Sequence, residues 1–364
     1  MLNWENTHMK NEEIIEMFGL TYHQTKLLFS AQKQVTEYDI SITKNLEKAI
    51  VKRTWLEEWK KSIITYLDAV NENDKSELIE SEEDLRKAFL EEINKSANKT
   101  WYYIVVLELI EYVPYTSLGT QNDKAYSKLR FDVDKNYYYI RNFIVSHEYL
   151  SEDKIDRLDK TYTKSLSKIS GKVGKIITKV AIVIAITAVA AALAAAFAGP
   201  IAVALFGSEF AGLSGAALTS ACLAMAGGGA IAAGGLGIQG GILVIAGGGA
   251  LLGFASGGTA VCVTSALLLS VPEYTLTQAA KLETILKEVI LNAQKDVVTA
   301  QKIIAQYQEQ IVELTKELTK MELQNEKNKK EIQNIRTCLK YLKKSYEDMS
   351  KFTSAFDIGL QTEQ

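Results

Sequence analysis

Charge is missing from about a quarter of this chain. Of the 93 residues from 180 to 272 only Glu209 is charged, whereas the flanks hold the other 84 Lys, Arg, Asp and Glu. A globular core does not segregate its polarity in this way. Proline is nearly absent too, occurring only at Pro114, Pro200 and Pro272, and before residue 172 the only glycines are Gly19, Gly119 and Gly171. With so few breakers the flanks are expected to be long helices. Cysteine is limited to Cys222, Cys262 and Cys338, an odd number with two inside the apolar stretch, which excludes a disulfide framework. A net charge of −3 with no uniformly basic segment excludes a nucleic-acid binder, since phosphate neutralisation needs a basic face.

Chemistry-bearing motifs are equally scarce. His8, His23 and His147 lack metal-ligand spacing, and no serine or cysteine lies in a nucleophile motif, so an enzyme, a metal and a cofactor are not expected. Gly235-Leu236-Gly237-Ile238-Gln239-Gly240 fits the dinucleotide fingerprint in letters only. No acidic residue occurs between Glu209 and Glu273 to hold a ribose. Gly171-Lys172-Val173-Gly174-Lys175-Ile176 lacks the spacing and hydroxyl of a phosphate loop. The N-terminus shows no basic leader followed by an apolar run, so no cleavable secretory signal is expected. The chain is then expected to leave by a non-classical route or to act at the membrane of the producing cell, as a soluble form that becomes membrane-bound.

What is present falls into three regions: 1–179, 180–272 and 273–364. In the first, apolar residues recur at steps of three and four from Leu28 through Ala31, Val35, Tyr38, Ile42, Leu46 and Ile50. They continue through Trp55, Trp59, Ile63, Tyr66 and Val70 and mark one helical face. Ser81 with Asp84 has the form of a capping box and opens another helix. The aromatic and β-branched run 101–115 reads as strand or buried helix, with buried helix favoured. A further helix is expected from Asp123 to His147, and another after Ser151. Lys160, Lys164, Lys168, Lys172, Lys175 and Lys179 line one side of that last helix, which leads into the apolar region. Such a stripe is either a solvated face or a surface for anionic lipid headgroups, worth about 1 kcal/mol per lysine near a membrane.

The middle region starts with nineteen residues, 180–198, that carry no charge. At about 1.5 Å per residue they approach the ~30 Å hydrocarbon core. Val180, Ile182, Ile184, Ile186, Val189, Leu193 and Phe197 are the expected inserting residues there. Ile242, Leu243, Val244, Ile245, Leu251, Leu252 and Phe254 are their counterparts in a later apolar run, so two to four crossings fit. Eighteen of the 23 glycines lie between Gly199 and Gly258. Gly249, Gly253 and Gly257 stand four apart, as in helix pairs that pack closely in lipid. Alternation of Gly with Ile, Leu and Val also allows a β-tongue. Glu209, beside Gly207-Ser208, reads as a turn at a membrane face.

The third region carries a heptad seam: Leu286, Ile290, Ala293, Val297, Ala300, Ile304, Tyr307, Ile311, Leu314, Leu318, Met321, then Asn325, Asn328, Ile332, Ile335, Leu339, Leu342, Tyr346 and Met349. That is a coiled-coil pattern. Unbroken, it would extend about 95 Å. Asn325 and Asn328 on the seam either set register or mark a turn, with the turn favoured.

This order of elements, a helical N-terminal half, an apolar head and then a long helix with a shorter one after it, resembles the helical pore-forming toxins of the ClyA superfamily, which includes the haemolysin BL and non-haemolytic enterotoxin components. The resemblance implies an all-α, elongated bundle of long helices that hides its apolar tongue or hairpins when soluble. It also implies insertion of that segment as protomers assemble into a ring. The implied partners are a lipid bilayer and further copies of the chain, with additional protein components open. The other readings are a membrane-disrupting effector acting inside its own cell and a coiled-coil protein anchored to a membrane.

Overall fold

The computed structural model describes residues 20–70, 76–116, 118, 120–171, 272–324 and 329–362. Among them helices account for 80% and no strand occurs, which places the described chain in the all-α class. The expected membrane segment 180–272 lies outside the described residues except for Pro272. No helix among the described residues is long and apolar enough to cross a membrane.

Helix α1, Tyr22–Ser41, opens on a full capping box, with Gln24 N donating to Thr21 Oγ1 at 3.2 Å and Thr21 N donating to Gln24 Oε1 at 3.0 Å. Helix α2, Leu46–Val70, starts where Asn45 Oδ1 accepts from Lys48 N at 2.8 Å. The two run antiparallel, since Lys52 meets Asp39 and Trp59 meets Phe29. The single apolar face read from Leu28 to Val70 therefore belongs to two helices. Leu46 and Ile50, on that face in sequence, are 76% and 59% exposed. Helix α3, Glu82–Lys95, is capped by Ser81 Oγ accepting from Asp84 N at 3.0 Å, and Glu82, Glu83 and Asp84 in its first turn complement the helix dipole. The Asp84 carboxylate accepts from the Ser81 hydroxyl at 2.6 Å, a local variant of the expected box.

Helix α4, Thr100–Ile110, makes the first ten residues of the 101–115 run helical, and residues 112–115 follow it as irregular chain. All of its residues are buried, as a helix apolar on every side requires. Its one carboxylate, Glu108, is ion-paired with Lys281 at 2.8 Å. The helix expected from Asp123 to His147 is instead the turn α5, Asp123–Tyr126, and the separate helix α6, Val133–Val145. Asp132 caps α6 by accepting from Lys135 N at 3.2 Å, which stops the earlier turn from continuing into it. After α6, His147 is 1% exposed, with its ring 4.6 Å from that of Phe89 and Nδ1 2.6 Å from the Tyr102 hydroxyl. Burial first, and then the charge of Arg86, push its pKa down to about 3.

Helix α7, Glu152–Ser170, ends at Gly171, whose φ of 70° is the left-handed cap geometry. Helix α8 is Pro272–Ile285, and it runs into a π-helical stretch, Leu286–Ala293. Helices α9, Val297–Gln324, and α10, Lys329–Thr362, complete the described chain. The heptad seam is thus divided. After the π-helical stretch, Lys295 takes φ 59° and Asp296 caps α9 through Thr299 N at 2.9 Å. Ala293, a seam position, is exposed there. Asn325 and Asn328 lie outside the described residues, between helices that run antiparallel, because Arg336 bonds Glu322 and Tyr346 bonds Gln308.

Two apolar clusters meet at α1. Leu27, Leu28, Ala31 and Val35 join the larger one, built from α3, α4, α6, α7, α8, α9 and α10, while Phe29 and Ile40 join Trp55, Trp59 and Leu67 of α2. Between the clusters Asp39 is fully buried and accepts from four groups: Lys52 Nζ at 2.5 Å, the Tyr115 hydroxyl at 2.6 Å, Asn136 Nδ2 at 2.8 Å and Asp132 N at 3.1 Å. Tyr115 reaches it from φ 67°, an uncommon backbone for a bulky residue. Burial and the Asp39 carboxylate hold the Tyr115 phenol well above its usual range, so it stays a donor.

Candidate functional site

The apolar region is joined to the described fold by two helices, α7 before it and α8 after it. These stems are neighbours and antiparallel. Arg157 Nη2 donates to Glu288 Oε2 at 2.8 Å, Thr161 Oγ1 to Glu288 Oε1 at 2.7 Å, and Ser165 Oγ to Glu283 Oε1 at 2.7 Å, so the partner number falls as the residue number rises. Both ends of the 172–271 stretch consequently leave from the same end of the helix pair. Helix α10 lies against both stems, running parallel to α8 and antiparallel to α7, as Lys344 Nζ donates to Ile169 O at 3.1 Å and Ser345 Oγ donates to Ala279 O at 3.5 Å.

Where the three helices meet, their charges form one connected network. Glu283 is fully buried on α8, and beside Ser165 it accepts from Lys287 Nζ at 2.6 Å and from the Ser345 hydroxyl at 3.3 Å. Lys287 also donates to Asp348 Oδ2 at 2.6 Å and lies 5.3 Å from the centre of the Phe352 ring. The other oxygen of Asp348 takes Lys168 of α7. One aspartate on α10 thus holds Lys168 of α7 and Lys287 of the π-helical stretch that continues α8. The side chain of Asp348 is 9% exposed and that of Lys287 12%, but that of Lys168 is 60% exposed. Burial first, and then the charge of Lys287, lower the pKa of Lys168 from its ordinary value. Lys168 is the most exposed member of the network.

The lysine stripe is divided by this geometry. Lys160, Lys164 and Lys168 lie on α7 and are exposed, with Lys168 engaged by Asp348. Lys172, Lys175 and Lys179 follow the Gly171 cap and lie outside the described residues. So do the expected inserting residues from Val180 to Phe254 and the packing glycines Gly249, Gly253 and Gly257. Reading the sequence missed Glu283, Lys287, Ser345 and Asp348. Glu283 and Lys287 stand four apart, a legible helical pair. Asp348 is 180 residues from Lys168, and no local pattern connects them.

No group of His, Cys, Asp and Glu among the described residues could hold a metal ion. Comparison with known proteins adds no relative: no family model matches the chain, and no curated protein or solved structure matches it.

Proposed function

We propose that the chain is a membrane-inserting, pore-forming protein that shields its apolar segment when soluble and oligomerises with copies of itself on a bilayer. In this proposal it is an elongated bundle in which α9 and α10 pack as a coiled coil and α7 and α8 serve as the stems of the inserting segment. The observation that carries the reading is the 93-residue stretch with a single charge, set between two adjacent antiparallel helices. A stretch of that composition exposed to water would aggregate, so it needs a lipid or protein cover. Its attachment supports the same reading. Paired stems on one side let the segment leave as a unit while the remaining helices keep their core.

Dye release from liposomes tests this. Ile186→Arg places a charge in the first expected crossing, at about 2.5 to 3.5 kcal/mol on insertion scales, and should stop the protein at surface attachment. Gly253→Leu should bind but leak poorly, because it separates backbones that small residues bring together. If both variants release dye like the parent, the segment is a buried structural core and the proposal falls. A chain that sediments with membranes before any liposome is added would instead favour an anchored protein acting in its own cell.

A further inference from the structure

We propose that the α7–α10 face leading to the departure point of the apolar segment is a docking collar for an anionic lipid bilayer, with Lys340, Lys344 and Lys351 of α10 joining Lys164 and Lys168 of α7. This deepens the membrane reading and rests on it, but it assigns a surface to a second helix that the α7 stripe does not include. The placement follows from helical spacing. Lys344 reaches Ile169 O and Lys168 reaches Asp348, so the face of α10 that carries residues 344 and 348 lies against α7. Lys340 is four residues before Lys344 on that face, about 6 Å further along the axis and level with the end of α7 at Gly171. Lys351 sits three residues after Asp348, and its charge acts on Lys168 together with those of Lys287 and Lys164.

This face is rich in lysine. Lys164, Lys168, Lys340, Lys344 and Lys351 lie along it with Glu347 and Asp348, beside Lys287 and Glu283 and with Glu273 in the first turn of α8, and Glu283 and Asp348 are already held by lysines. Lys164, Lys340 and Lys351 are exposed and have no ion pair among the described residues. Unneutralised lysines around the departure point of an apolar segment complement a negative leaflet and aim that segment at it. Lys340 and Lys351 are off the sequence stripe, so the collar predicts that lysines of a second helix matter to lipid binding.

Co-sedimentation of the full chain with phosphatidylglycerol-containing vesicles and with pure phosphatidylcholine vesicles tests this. The variants are Lys340→Gln with Lys351→Gln and a remote control, Lys124→Gln with Lys128→Gln, which makes the same charge change on exposed positions. The expected result is salt-weakened binding of the parent to anionic vesicles and a loss of about ten-fold in affinity for the collar variant, with the control within about two-fold of the parent. If the collar variant binds like the control, or if the parent binds both vesicle types equally and without salt dependence, the collar is wrong while the insertion reading stands. Binding to anionic vesicles with the expected loss but no dye release keeps the collar and removes the pore. A parent that binds neither vesicle overturns both.

Discussion

Asp39 and Asp348 solve the same problem in opposite ways. Asp39 meets one lysine and fills its remaining acceptor capacity with a phenol, an amide and a backbone N–H, so its site is charge-balanced and closed. Asp348 meets two lysines and no neutral donor among its described partners, and one of those lysines stands largely in water. The first arrangement has no cheap way to open, because the Lys52 ammonium and the Tyr115 hydroxyl would be left buried without the carboxylate. The second can surrender Lys168 and still keep Lys287. Structural permanence and releasability here differ in the exposure of one lysine, 5% for the side chain of Lys52 and 60% for that of Lys168.

Removing the Asp39 carboxylate should give the largest effect. Asp39→Ala leaves Lys52 and the Tyr115 hydroxyl buried without their partner, and a loss of about 3 to 5 kcal/mol is expected from denaturant unfolding. A loss under about 1 kcal/mol would show that water enters the site and would erase the contrast with Asp348.

Acid should be the next largest. The folded pKa of His147 lies well below its unfolded value near 6.5, so the folded state binds fewer protons and the stability this residue contributes is complete only above about pH 6.5. It is lost as pH falls, by at most about 1.4 kcal/mol per unit, or about 2 kcal/mol by pH 5. Unfolding curves between pH 7 and pH 5 should show this decline, and His147→Phe should flatten it. An unchanged slope in the variant would mean that His147 is solvated.

Asp348→Asn should cost less than Asp39→Ala, about 1 to 3 kcal/mol, since Lys287 retains Glu283 and Lys168 can turn to solvent. The cost should shrink in high salt, which a closed site like that of Asp39 would not show. Gly171→Ala should have the smallest effect. At φ 70° a side chain is strained by about 1 kcal/mol, and the new Cβ would meet only the mobile end of Lys344, 2.7 Å away. A melting experiment that gave no change would place the end of α7 elsewhere.

What could be read from the sequence was whatever depends on neighbours along the chain. Ser81 marks a helix start because a cap needs only its own first turn, and of the run 101–115, read as buried helix, residues 101–110 are helical because they are apolar on nearly every side, while the chain leaves the helix after Ile110. The reversal at 42–45 stayed hidden because the apolar spacing continues across it without glycine or proline. The π-helical stretch stayed hidden because heptad counting assumes one winding throughout, and Leu286–Ala293 changes it. Of the candidate site, Lys160, Lys164 and Lys168 were legible as one face of a helix, and the partner of Lys168 was not. Asp348 looks like any solvated acid on an amphipathic helix until folding brings α7 and α8 to either side of it.

The antiparallel pairing of α7 and α8 also makes the chain modular. Helices in contact lie about 8 to 10 Å apart, so a short link of about four to six residues could join Gly171 to Pro272 directly. In topological terms the hundred residues between them are a guest whose two points of attachment already meet in the host. A chain in which that link replaces the guest is therefore expected to keep the Arg157–Glu288 and Ser165–Glu283 bonds between its stems.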